Sequence, residues 1–235
     1  MIRFSSWAVG LVAFSASVAA VAQDAEPEAE PAPDAASAPA PVADATAGVS
    51  SGSAFADKKI RLGLRLGYAF AMGSSQEGTK MSDGTSGQVP IWIDAGYMVT
   101  PNIMLGLYGQ YGFVLLKDCN DCSAHDLRFG IQGQYHLAPA ASMDPWLGLG
   151  VGYEILSTSQ TAQGITVSGD VKGFEFLNLQ GGADFKVADA LTVGPFLSFS
   201  LGQYSSISSG GLSADIDKTA LHEWLTVGVK GTFGL

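Results

Sequence analysis

From Lys58 to the C-terminus the chain alternates with a period of two. In the first segment Ile60, Leu62, Leu64, Leu66, Tyr68, Phe70 and Met72 are bulky and apolar, whereas Lys59, Arg61, Gly63, Arg65, Gly67, Ala69 and Ala71 are small or charged. Successive side chains of a strand point to opposite faces, so this spacing predicts a strand with one apolar face. The pattern returns near 89–99, 103–115, 125–137, 145–156, 173–187, 191–204 and 221–235. There the bulky set falls on odd positions, as in Ile91, Ile93 and Tyr97, or Leu225, Val227 and Val229. Eight strands are expected. Residues 73–87, 116–124, 157–172 and 205–220 read as long, polar, Gly/Ser-rich loops. Thr100–Asn102, the stretch from Pro139 to Asp144, and Ala188–Ala190 read as short turns.

About forty large apolar side chains cannot fit inside a ring of ~8 strands, whose interior is only just wide enough to be filled. The opposite set, rich in Gly, Ser and Gln, does fit. The bulky face is therefore expected outside, where only lipid tolerates it. The alternative is a soluble β-sandwich, which has no reason to sort aromatics by height. Here Tyr97, Tyr135, Phe185 and Phe233 fall near one end of their strands, and Phe70, Tyr111, Phe113, Tyr153 and Phe199 near the other. Two such rings are the girdles of a membrane-spanning barrel, with long loops outside and short turns inside. The predicted fold is all-β, an eight-stranded antiparallel up-and-down transmembrane β-barrel over residues 58–235.

The N-terminal residues add a compartment. Residues 1–22 combine Arg3, an apolar stretch from Trp7 to Val21 and the small residues Ala20 and Ala22, the pattern of a cleaved secretory signal peptide. Residues 23–57 are rich in Ala and Pro and carry seven acids, Asp24, Glu26, Glu28, Glu30, Asp34, Asp44 and Asp57. Such a segment buries too little apolar surface to order itself and is expected to be a disordered acidic arm. The net charge of −10 and the absence of a basic patch argue against nucleic acid as a partner. Gly48–Gly52 matches a hydrolase G-x-S-x-G pattern but sits in this linker, away from any strand-turn-helix.

Candidate chemistry lies on the inward face. Arg61, Arg65, Arg128 and Lys230 stand against Asp94, Glu154 and Asp184, with Gln110, Gln132, Gln134 and Gln180 between them. Charges in a narrow lumen must pair or meet water. Counting back from the turn flanked by Leu137 and Trp146 sets Arg128 opposite Glu154, and Arg65–Asp94 is a looser candidate pair. These read as salt bridges of a filled interior, the other reading being an ion-selective lining. Trp92, Phe174, Phe176, Tyr204 and Trp224 have inward parity in the upper half, as a ligand pocket or as interior packing; Tyr108, Phe196 and Trp146 lie lower.

Cys119 and Cys122, with His125 nearby, admit a redox pair, half a zinc site or a loop disulfide. Oxidation beyond the inner membrane favours the disulfide. Gly148, Gly150 and Gly152 follow the strand period and make room in the lumen. His125, Glu175 and Glu223 have lipid-facing parity on strands that are not neighbours, and His222 faces inward. No nucleophile–base pair can be assembled, so no catalytic residue, metal or cofactor is expected.

Over residues 58–235 the chain resembles the small eight-stranded outer-membrane barrels of Gram-negative bacteria, the OmpA, OmpX and OmpW kind. The resemblance rests on the alternation, the loop asymmetry and the terminal strand from Leu225 to Leu235, whose Phe233 and Leu235 are similar to the signal read by the barrel assembly machinery; the family usually ends in Phe or Trp. It implies an outer-membrane location with the arm in the periplasm. It also implies lipid, lipopolysaccharide and the assembly machinery as partners, and a monomer. The inner aromatics are similar to the hydrophobic entrance of OmpW-like barrels. The expected function is a structural or surface-interaction barrel with a largely plugged interior. The alternative is a minor pore or a binder or transporter of small hydrophobic ligands.

Overall fold

The computed structural model describes residues 53–119 and 121–235. The signal peptide expected at 1–22 and the arm up to residue 52 lie outside the described residues. Eight long strands form the body: β1 (Ile60–Gln76), β2 (Thr85–Met98), β3 (Ile103–Leu116), β4 (Cys122–His136), β5 (Met143–Ala162), β6 (Ile165–Ala188), β7 (Leu191–Ser209) and β8 (Leu221–Gly234). Each pairs antiparallel with its sequence neighbours, and β8 pairs with β1 from Arg61↔Gly234 to Gly73↔His222. The ring is closed, so neither β1 nor β8 leaves an unpaired edge.

The alternation sorts the faces as expected. Ile60, Leu62, Leu64, Leu66, Ile93, Leu107, Ile131, Leu149, Leu197 and Val229 are exposed on the outside, while Arg65, Gln132, Gln134, Glu154 and Lys230 are buried inside. Tyr97, Tyr135, Phe185 and Phe233 ring the end with short turns, and Phe70, Tyr111 and Phe113 ring the other, here called the upper end. An apolar belt between two aromatic rings, around a polar interior, is the surface of a transmembrane barrel.

Three expectations need correction. The segment 157–172 is no loop: β5 and β6 stay paired from Ser157↔Asp170 to Ala162↔Ile165 and turn through Gln163 and Gly164, both at positive φ. Residues 205–220 likewise hold the end of β7 and a short strand, Leu212–Asp215, folded back on it through Gly210 and Gly211. Their Ser and Thr content reflects strands in water rather than irregular backbone. Finally, the folded part starts before Lys58. Ser53–Ala56 make one helical turn, and Phe55 is buried with its ring 3.6 Å from the Arg61 guanidinium carbon, while Arg61 Nη2 donates to Phe55 O at 2.7 Å.

Candidate functional site

The lumen is filled in tiers. In the lower half Arg65 reaches from β1 across the barrel. Its Nε and Nη2 donate to Asp94 on β2 (2.6 and 2.8 Å), Nη1 to Gln180 on β6 (2.8 Å) and Nη2 to Gln132 on β4 (3.3 Å). Gln132 closes the loop by donating to Asp94 Oδ1 at 2.7 Å. The guanidinium lies against Trp92, Trp146 and Phe196, 4.8 to 5.4 Å from the ring centroids. Lys230 Nζ sits 4.1 Å over the Trp146 ring, 3.6 Å from Asp184 and 3.1 Å from Gln134 Oε1. Trp146 Nε1 donates to the same Asp184 at 3.1 Å. At the bottom His136 Nδ1 meets Asp144 at 2.8 Å. Cations with carboxylate partners and aromatic faces are compensated twice, by charge and by the ring quadrupole.

The upper tier is built around Arg128. It lies opposite Glu154 in the β4–β5 register, at 3.5 Å, and also meets Asp126 (2.8 Å) and Glu175 (3.8 Å). Tyr204 Oη (2.6 Å) and Trp224 Nε1 (3.3 Å) donate to Glu154 Oε1, and His222 Nε2 lies 2.9 Å from Oε2. Tyr204 stacks on His222 with ring centroids 4.0 Å apart. Glu175 receives the Tyr108 hydroxyl and, at 2.9 Å, Asn178 Nδ2. Gln88 and Gln110 turn their amide groups to Asp126 Oδ2 at 3.1 and 3.2 Å.

This tier corrects the inward aromatic set. Tyr204 and Trp224 are buried together here and Trp92 is buried lower, with Tyr108, Trp146 and Phe196, but Phe174 and Phe176 are 59% and 51% exposed on the outer face, and Glu175 is 1% exposed within. The cause is a β-bulge. Gly152 pairs with Glu175 and Gly150 with Asn178, so β6 carries one extra residue at Phe176–Leu177 and its parity inverts above that point. Phe174 joins the upper girdle instead, edge-on to Tyr153 with centroids 5.3 Å apart. The adjacent bulky pair Phe176–Leu177, which breaks the alternation, is the signal that marks the slip. Asp126 shares its inward parity with Arg128 two residues on and was equally readable.

Above the upper ring, β5, β6 and β7 continue beyond their neighbours. Leu116, Leu156, Val167, Val171 and Ile207 line an open cavity of about 470 Å³ there, with Cys119 and Cys122 at its edge. Its floor is continuous with the buried Tyr204 and Trp224, on which Leu156 and Val171 pack. Cys119 and Cys122 form a disulfide with Cα atoms 5.6 Å apart. His125 stacks on Tyr111 at 5.5 Å on the outer face.

No family model and no curated protein sequence matches the chain. Among solved structures it is similar to Neisserial surface protein A (14% identical, TM-score 0.46, covering 73% of this chain and 95% of that one). It is also similar to the outer-membrane protein OprG from Pseudomonas aeruginosa (16%, TM-score 0.46, 76% and 98%). A third is a major outer-membrane protein from Thermus thermophilus (11%, TM-score 0.46, 75% and 99%). At these identities the likeness is one of fold alone. The closed ring of eight strands, the apolar belt and the two aromatic girdles give this chain the architecture of the small outer-membrane β-barrels.

Proposed function

We propose that the protein is a non-enzymatic outer-membrane barrel whose lumen offers no continuous path, and that it acts at the cell surface through its upper strand extensions and loops. In this reading the acidic arm hangs in the periplasm, the long connections are extracellular, and the barrel is a monomer in contact with lipid and lipopolysaccharide. One observation carries it: the Arg65 guanidinium reaches from β1 to side chains of β2, β4 and β6 at one point in the lower half of the lumen and is packed on three rings. Opening a path would unpair Asp94 and break those contacts together. The test is conductance in planar bilayers, where the full-length barrel should give no discrete openings; openings in the parent protein overturn the reading. A Cys placed at Gly164 or Gly211 should label with an impermeant reagent on intact cells, and one at Asn102 should not.

A second reading is favoured by the upper cavity, which relocates the expected ligand site. Within the membrane the apolar face points out, but in the β5–β7 extension apolar Leu156, Val167, Val171 and Ile207 point into an open cup. Apolar surface held open to water marks a contact site, and a cup of this size accommodates a small apolar molecule. Lys117 Nζ, near the rim, is engaged with Ser82 O at 2.7 Å, which suits a neutral ligand. A fluorescent apolar probe should bind the solubilised barrel and be lost in Val171→Asp; equal binding by that variant removes the cup as the site.

A further inference from the structure

The upper tier holds more negative than positive charge. Asp126, Glu154 and Glu175, all buried, face one guanidinium, that of Arg128, and one imidazole, that of His222. Even with His222 protonated, one negative charge stays uncompensated in an interior filled by side chains. An uncompensated buried charge is strongly unfavourable. A carboxyl group in such a position takes up a proton instead.

The hydrogen bonds identify which carboxyl holds it. Glu154 has partners on both oxygens: Tyr204 and Trp224 donate to Oε1, and His222 Nε2 lies 2.9 Å from Oε2. Glu175 also has donors on both, Asn178 on Oε1 and Tyr108 on Oε2. Each thus has an oxygen held by an N–H donor, Trp224 Nε1 on Glu154 and Asn178 Nδ2 on Glu175, and neither has an oxygen without a partner. Asp126 differs. Its Oδ2 collects the Gln88 and Gln110 amides and the Arg128 contact, whereas its Oδ1 is buried with no hydrogen-bond partner among the described residues. The carbonyl oxygens of those two amides, Gln88 Oε1 and Gln110 Oε1, are also buried without a donor. Both amide heads are anchored to the same carboxyl through their nitrogens. Three acceptors and no donor is an unsatisfied arrangement, and one hydrogen on Asp126 Oδ1 supplies the donor it lacks. Asn178 Oδ1 also lacks a donor, but its neighbour Glu175 has both oxygens engaged.

We infer that Asp126 is a proton-binding site: in the assembled barrel it is a neutral carboxylic acid whose Oδ1–H donates to a glutamine side chain of β2 or β3. The groups around it are Arg128 on its own strand, Gln88 and Gln110 on β2 and β3, Glu154 on β5, Glu175 on β6, Tyr204 on β7 and His222 on β8. With Asp126 neutral, two carboxylates, Glu154 and Glu175, remain beside Arg128 and His222. The upper lumen is thus closed by a proton where the lower lumen is closed by matched ion pairs.

The test uses the full-length barrel in detergent and does not depend on whether the lumen conducts. Infrared spectroscopy of the parent at neutral pH should show the carbonyl band of a protonated, buried carboxylic acid, and that band should disappear in Asp126→Asn. Asparagine reproduces the neutral acid, with Oδ1 accepting from the two amides and Nδ2 donating to their oxygens. Asp126→Asn should therefore assemble and melt within about 2–4 °C of the parent, the shift that ~1 kcal/mol makes in a chain of this size. Glu154→Gln keeps an oxygen for Tyr204 and Trp224 but removes the carboxylate that Arg128 and His222 share, and should lower the melting point several times further while keeping the band. A parent without the band, a band that survives in Asp126→Asn, or an Asp126→Asn barrel that fails to assemble each overturns the assignment.

Discussion

The lower and upper halves of the lumen are filled with the same residue types and are balanced in different ways. Below, Arg65 pairs with Asp94 and Lys230 with Asp184, Asp144 meets His136, and Arg61, Arg65 and Lys230 each lie on an aromatic ring. Above, Arg128 serves three carboxyl groups, and Tyr, Trp and His side chains meet the remaining oxygens of Glu154 and Glu175 only. A matched pair can be exchanged as a unit for apolar residues, because removing both charges leaves nothing unpaired. A cation shared by three carboxyl groups cannot. The difference separates a tier of independent pairs from a single network, and mutagenesis can break it.

The largest expected effect belongs to Arg128→Met, which leaves Asp126, Glu154 and Glu175 without their cation. Its cost should exceed the about 3–5 kcal/mol of breaking one buried pair, read as loss of the heat-modifiable, folded band on gels. Replacing both Arg128 and Glu154 by apolar residues should not rescue it, since the Glu175 carboxylate remains buried without Arg128 and Asp126 loses the same contact. Arg65→Met should cost about 3–5 kcal/mol in urea unfolding from vesicles, and here the double change Arg65→Met, Asp94→Leu should recover part of the loss. If the double variant is no better at Arg65, or is well tolerated at Arg128, the distinction between the tiers is wrong.

The bulge of β6 sharpens the same comparison. Deleting Leu177 restores the parity, turning Phe174 inward and Glu175 towards lipid, which removes Glu175 from its buried partners and places a carboxylate on the lipid face, at a cost below the ~2–4 kcal/mol of an Arg or Lys at the midplane. Assembly yield should fall sharply, whereas deletion of one residue in the Gln163–Gly164 turn, beyond the ring, should be milder.

The smallest effect lies at the lower rim. Phe55→Ala removes a ring stacked on Arg61 at 3.6 Å and should cost about 1–2 kcal/mol in the same unfolding assay. Deleting Asp24–Ala54, which spares Phe55, should leave insertion and gel mobility unchanged. A deletion of 24–54 that destabilises as much as Phe55→Ala would place further contacts in the arm.

Much of this was readable from residues. The period of two gave eight strands, the count of bulky side chains against lumen size turned the apolar face outward, and the turn at Leu137–Trp146 set Arg128 across from Glu154. The Arg65–Asp94 contact was approachable because both residues share inward parity on adjacent strands. Phe174 and Phe176 were misassigned because parity was carried through a bulge, and a one-residue slip exchanges the faces of everything beyond it. Asp126 was passed over although its parity matched, and Glu175 could not be placed inside without the slip.

The sequence alone determined what depends on alternation: strand number, which face meets lipid, where the girdles lie and which residues share an interior. Those are local properties, fixed by side chains pointing to opposite sides of an extended backbone. Only the closed ring decided which interior groups meet, because Arg65 and Gln180, or Glu154 and His222, are brought together across the lumen from strands distant in the chain. The ring also decided that one cation would be shared by three acids, since that depends on register, on the extra residue in β6 and on the width of an eight-stranded barrel, none of which alternation encodes.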